Sequence, residues 1–150
     1  EVAQRIAEHN PDFIFVNGTR IIGQRLLSQL TAPVLNIHVG ITPAYRGIHG
    51  GYWALYRNDA KNMGVTLHYV DRGVDTGKII AQARITAAPN DSFATYPILQ
   101  FVAGLELVDN FLQHGEASFA ALADLSQQSE QHYHPGFFQY LLSRWFRGIR

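Results

Sequence analysis

Val34-Leu35-Asn36-Ile37-His38-Val39-Gly40-Ile41-Thr42-Pro43-Ala44-Tyr45-Arg46-Gly47-Ile48-His49-Gly50-Gly51 begins as an apolar run and ends as a loop rich in turn-forming residues. Alternate residues of a strand project to the same face. A strand over 34–39 therefore sets Asn36 and His38 side by side at its end, where Gly40 and Pro43 stop it. In parallel α/β sheets, ligands sit at the carboxyl ends of strands. A polar pair where a buried strand runs out points to a site rather than to core.

Upstream, Val2, Ala3 and Ile6 recur at helical spacing among charges over 1–9, and Asn10-Pro11 ends that helix. Phe13-Ile14-Phe15-Val16 is a short apolar run of the kind buried on both faces in a parallel sheet, ended by Asn17-Gly18. Residues 21–30 read as a short helix with Ile22, Leu26, Leu27 and Leu30 on one side. Downstream, 50–58 predict a helix with Tyr52, Trp53, Leu55 and Tyr56 inward. Residues 65–70 and 78–86 read as strands, joined by a loop with two aspartates and two glycines. Asp91-Ser92 caps a long helix from Phe93 to about Gln113, with Pro97 in its first turns and Gly115 as its stop. The order predicts an α/β fold: a mostly parallel open sheet flanked by helices, its last two strands free to form an antiparallel edge.

A chain of 150 residues suits one domain, and 47% hydrophobic with 16% charged residues supplies a core. The formal net charge of zero gives no overall basic balance toward nucleic acid. With no cysteine, disulfides and cysteine metal sites are excluded; the composition fits a reducing compartment, and a cytoplasmic location is expected. No apolar run approaches the ~20 residues of a membrane span. The chain opens inside a charged amphipathic segment, as a piece of a longer protein would.

Asn36 carries an amide that can donate to a developing oxyanion, and His38 titrates near neutrality. Asp75 could orient His38, raise its pKa or relay a proton through water; Asp71 and Asp75 also suit the plainer role of turn formers. His68 lies inside an apolar strand and reads as a satisfied core histidine or one supporting its neighbours. His38, His49, His68 and Asp75 lack the spacing of a metal site, so no metal is expected. Neither a nucleophile-elbow serine nor a glycine-rich phosphate loop is present. The pattern suits acyl transfer, with an amine attacking a carbonyl.

Asn36-Ile37-His38, Pro43, Tyr45-Arg46-Gly47, Gly64-Val65-Thr66 and Asp71-x-Gly73-x-Asp75-Thr76-Gly77 together resemble the folate-dependent formyltransferases. That group includes glycinamide ribonucleotide transformylase, methionyl-tRNA formyltransferase and the sugar N-formyltransferases. The resemblance implies the Rossmann-like formyltransferase fold and transfer of a formyl group from 10-formyltetrahydrofolate to an amine. It implies that Asn36 and His38 stabilise the oxyanion and that Asp75 holds His38 charged and assists proton movement. It places the pteridine between Arg20, Ile21 and Ile22 on one side and Asp71, Gly73 and Val74 on the other. It assigns Tyr45, Arg46, Gly47 and His49 to the acceptor.

The family has an amino-terminal nucleotide-binding-like half that nothing in this chain fills. Residues 1–115 are therefore expected to be the carboxyl-terminal portion of a catalytic domain, and 116–150 a tail packed on it or on a partner. Val39-Gly40 stands where the family commonly has Pro-Ser, and Thr42 where it has Leu. Tyr45-Arg46-Gly47 is closer to the tRNA and sugar enzymes, whereas His49 matches the purine enzyme, and the tail lacks the strand signals of a β-domain. This implies a small-molecule amine, a nucleotide-linked amino sugar. The alternatives are a formyltetrahydrofolate hydrolase, a purine-pathway transformylase, or a non-catalytic folate-binding or scaffold domain. No nucleic-acid partner is expected, and a homodimer is open. Phe137, Phe138, Leu141, Leu142, Trp145 and Phe146, with Arg144, Arg147 and Arg150, read as a closing helix on the domain or a second subunit rather than on a membrane.

Overall fold

The computed structural model describes residues 1–120 and 127–149. The parts of the expected tail that fall on 121–126 and on Arg150 lie outside the described residues. The chain runs α1 (Val2–Glu8), β1 (Ile14–Val16), α2 (Gln24–Leu27), β2 (Val34–His38), β3 (Arg46–Gly47) and α3 (Gly50–Tyr56). After a single 3₁₀ turn at Ala60–Asn62 come β4 (Gly64–Tyr69), β5 (Ile79–Arg84) and α4 (Tyr96–His114). A second 3₁₀ turn (Glu116–Ser118), β6 (Gln131–His132) and α5 (Phe137–Arg147) complete it.

The main sheet has the order β1-β2-β4-β5. It is an α/β sheet flanked by helices, but mixed rather than mostly parallel. Within it β1 and β2 are parallel, whereas β2–β4 and β4–β5 are antiparallel. The reason lies in the connection after β2. A parallel partner needs a crossover that carries the chain back to the start of the sheet. The seven residues of α3 span only about 10 Å, against the ~17 Å of a five-residue strand. The chain therefore re-enters at the end it left, with Thr66 opposite His38 and Tyr69 opposite Leu35.

Leu35, Ile37, Val65, Leu67, Ile80 and Ala81 of the sheet form the main core with Phe111 of α4, and Phe101, Ala103, Leu107 and Val108 pack against it. α4 begins three residues later than Phe93, because a turn takes the first positions: Asp91 accepts from the Ala88 amide and Thr95 from that of Ser92. A second cluster joins Tyr45, Tyr52, Ala54, Met63, Tyr96 and Ile149. α5 closes on that cluster through Tyr140 and Ser143, whose hydroxyl meets that of Tyr52 at 2.9 Å. Its Phe137, Phe138, Leu142, Trp145 and Phe146 point outward, so the expected closing helix docks by its more polar side. Among the described residues, no helix is long and apolar enough to cross a membrane.

Candidate active site

β2 is buried along its whole length except at Asn36, which is half-buried. Period-two alternation points Asn36 and His38 to one face, and that face floors a cavity of about 330 Å³. Val16 to Ile22 form one wall, with Arg20, Ile21 and Ile22 among them. Asp71, Gly73, Val74 and Asp75 form the opposite wall, and Gly47 and Ile48 the rim. The helix expected from Ile21 is reduced to the four residues of α2, which leaves Ile21 79% exposed beside the cavity.

The antiparallel register sets His68 of β4 directly opposite Asn36. The Nδ1–H of His68 donates to the Tyr69 carbonyl at 2.7 Å, so its Nε2 accepts from Asn36 Nδ2 at 3.2 Å. Asp75 Oδ1 stands 3.6 Å from the same Nε2. On its other side, Asp75 Oδ2 lies 3.2 Å from His38 Nδ1 and accepts from the Gly47 amide at 2.9 Å. His38 Nε2 donates to the Tyr45 carbonyl at 2.7 Å. The carboxylate thus sits between two imidazoles whose ring centroids are 6.5 Å apart. Asp75 has a φ of +52°, a left-handed conformation that Asn and Asp tolerate better than most residues.

Burial pushes the His38 pKa below the ordinary imidazole value; the charge of Asp75 and the Tyr45 carbonyl oppose this without cancelling it. Burial pushes Asp75 upward, but the neighbouring His68 and His38 rings and the Gly47 amide together hold it below the usual carboxylate value. The pair therefore rests as a carboxylate beside a ring that is reluctant to charge until further negative charge arrives. An amide donor, an imidazole and an anionic proton relay around one point can stabilise an oxyanion and move a proton.

Of the residues expected to contact acceptor, Gly47 reaches the cavity and three others turn elsewhere. The buried Tyr45 hydroxyl donates to Asp59 at 2.8 Å. Arg46 donates to the Val74 carbonyl and the Ser129 hydroxyl, each at 2.9 Å. His49 is hydrogen-bonded to His134 at 2.9 Å and packs on Phe93. Gly47 has a φ of +91°, and a Cβ there would overlap the His132 carbonyl oxygen, so the close approach of β6 to β3 requires glycine. Among the described residues, no three His, Cys, Asp or Glu side chains are arranged to hold a metal ion.

Fold and site define an α/β protein with an amide, an imidazole and a carboxylate gathered at a strand end beside a largely apolar cavity. The chain belongs to the formyl transferase family, whose pattern matches residues 1–98. It is 37% identical over 95 residues to phosphoribosylglycinamide formyltransferase of Bacillus subtilis, covering 63% of this chain and 48% of that one. It is 32% identical over 121 residues to methionyl-tRNA formyltransferase of Chlorobium chlorochromatii, covering 81% of this chain and 38% of that one. The chain therefore spans less than half the length of these relatives. It also superimposes with a TM-score of 0.63 and 25% identity on a formyltransferase of Anoxybacillus kamchatkensis solved with UDP-4,6-dideoxy-4-formamido-L-AltNAc and tetrahydrofolate, covering 82% of this chain and 65% of that one.

Proposed function

We propose that this chain carries the donor slot and reacting centre of an enzyme that moves a formyl group from 10-formyltetrahydrofolate to the primary amine of a nucleotide-linked amino sugar. The convergence of Asn36, His38 and Asp75 at the cavity floor carries this reading. In this reading residues 1–115 are the carboxyl-terminal portion of the catalytic domain and 116–150 its tail. The slot suits a flat heteroaromatic ring: Ile21 and Ile22 offer an apolar wall, and the 71–75 backbone offers polar groups opposite. The sugar acceptor is supported by the bound ligand of the Anoxybacillus neighbour.

The acceptor nitrogen attacks the formyl carbon, a C–N bond forms, and the carbonyl oxygen becomes an oxyanion. Asn36 Nδ2–H donates to that oxygen. His38 shifts its Nε2–H from the Tyr45 carbonyl toward it, a tightening that belongs to the bound state. The new negative charge offsets the burial that held His38 neutral, so the proton lost by the amine passes by way of Asp75 to His38 Nδ1, and Asp75 stabilises the imidazolium. That proton returns through Asp75 to N10 as the C–N10 bond breaks, leaving the formamide, tetrahydrofolate and a neutral His38.

Asp75→Asn keeps the shape of the site and removes the charge. Formyl transfer to a nucleotide-linked amino sugar is expected to fall about 10²–10³-fold in kcat. Undiminished transfer overturns the assignment, and formate release without amine at the full turnover rate replaces transfer by hydrolysis.

A further inference from the structure

Arg46 has no contact in the cavity, yet it touches the wall that forms it. Its Nη1 donates to the Val74 carbonyl at 2.9 Å and its Nε to Ser129 Oγ at 2.9 Å. The next residue, Gly47, donates its amide to Asp75. Two consecutive residues of β3 thus hold two consecutive residues of the donor loop, one by its side chain and the other by its backbone. β3 is itself held from behind by the tail. It pairs in parallel with β6, Arg46 N–H donating to the Glu130 carbonyl at 3.0 Å and Ile48 N–H to that of His132 at 3.1 Å.

We propose that Arg46 is a positioning residue for the donor loop, and that the tail segment around Ser129 sets through it how tightly the slot holds folate. The inference rests on the reading of this cavity as the folate slot. Asp75 sits at φ +52°, a conformation that persists only where its surroundings over-determine it. Arg46 supplies one of those constraints by fixing the peptide just before it. The planar guanidinium presents its donors in a fixed fork, so one side chain spans the loop and the tail; a lysine ammonium is a single point charge and does not. Loss of the fork frees the Val74 carbonyl and loosens the 71–75 wall. Asp75 keeps its bond from the Gly47 amide and its place between the two histidines, so donor binding suffers more than chemistry.

The test compares the full chain with Arg46→Met, Arg46→Lys and Ser129→Ala, using calorimetric titration with tetrahydrofolate and steady-state kinetics. Arg46→Met is expected to weaken tetrahydrofolate binding and raise the donor KM about tenfold, with kcat within about threefold and the acceptor KM unchanged. Arg46→Lys restores little of this. Ser129→Ala, at an exposed position clear of the cavity, is expected to weaken binding in the same direction by about two- to fivefold. A general loss of fold would lower kcat with the fraction of active protein and would not raise the donor KM alone. Unchanged tetrahydrofolate affinity in Arg46→Met, beside a wild type that binds, overturns this inference and leaves the site reading intact. A change confined to the acceptor KM overturns it too, making Arg46 an acceptor contact. A wild type that does not bind tetrahydrofolate removes both readings.

Discussion

At the residue scale, the candidate site turns on which atoms of Asn36 face the cavity. His68 settles this: its Nδ1–H is committed to the Tyr69 carbonyl, so its Nε2 fixes the Asn36 amide with nitrogen toward the ring. His68→Phe keeps the ring volume but releases the Asn36 amide to rotate and takes one partner from Asp75. It is expected to lower kcat about tenfold with little change in KM, whereas Asn36→Ala, which deletes the donor, costs about 10²–10³-fold. Equal kcat for His68→Phe and wild type in a steady-state formyl-transfer assay would remove His68 from this role. The sequence carried Asn36 and His38 openly, because their spacing of two is a local property of a strand. His68 was visible only as a polar residue in an apolar strand. Its partnership with Asn36 is a cross-strand register, which no local pattern encodes.

At the element scale, what positions the site is how closely α4 lies on the sheet. Gly104 makes that approach: a Cβ there would come within 2.6 Å of Ile37 Cγ2 and 3.1 Å of Val65 Cγ2. Ile37 is the residue between Asn36 and His38, so any shift of α4 reaches the floor of the cavity. Gly104→Ala gains about 1 kcal/mol of helix propensity and sets against it an overpacking cost of about 1–3 kcal/mol, for an expected net loss of up to about 2 kcal/mol. Urea unfolding reads this directly. A double-mutant cycle with Ile37→Ala is expected to show strong coupling, and simple additivity would refute the contact. Periodicity placed most elements within a few residues. It failed where local patterns do not act: α2 is curtailed because residues 18–22 are taken up by the cavity wall, and strand direction depends on whether α3 is long enough to cross the sheet.

At the scale of the whole molecule, stability should depend on pH through three histidines that burial holds below the ordinary imidazole value. His38 meets Asp75, His68, Arg46 and the Tyr45 carbonyl. His49, half-buried, faces His134. His132 stacks between Tyr45 and Trp53 and faces Glu130, Arg57 and Arg46. The tail supplies one of the three rings, His132, and the neighbour of another, His134 beside His49. Well above pH 6.5 the three rings are neutral folded or unfolded, and they favour neither state. As pH falls through 6.5 the unfolded chain takes up protons that the folded rings refuse, so unfolding gains free energy until the folded values are passed. Asp75 acts in the same direction in a lower window. Its folded value lies below 3.8, so its contribution is present above 3.8 and is lost as pH falls through the folded value. The melting temperature is therefore expected to be level above pH 7.5 and to fall steadily toward pH 5.5, about where histidines titrate. His132→Gln removes one of the titrating rings, so its stability is expected to fall less steeply over that interval than that of wild type. Thermal melts across the series check both statements; a wild-type profile that is flat between pH 5.5 and 7.5 would mean that these rings take up their protons as readily folded as unfolded.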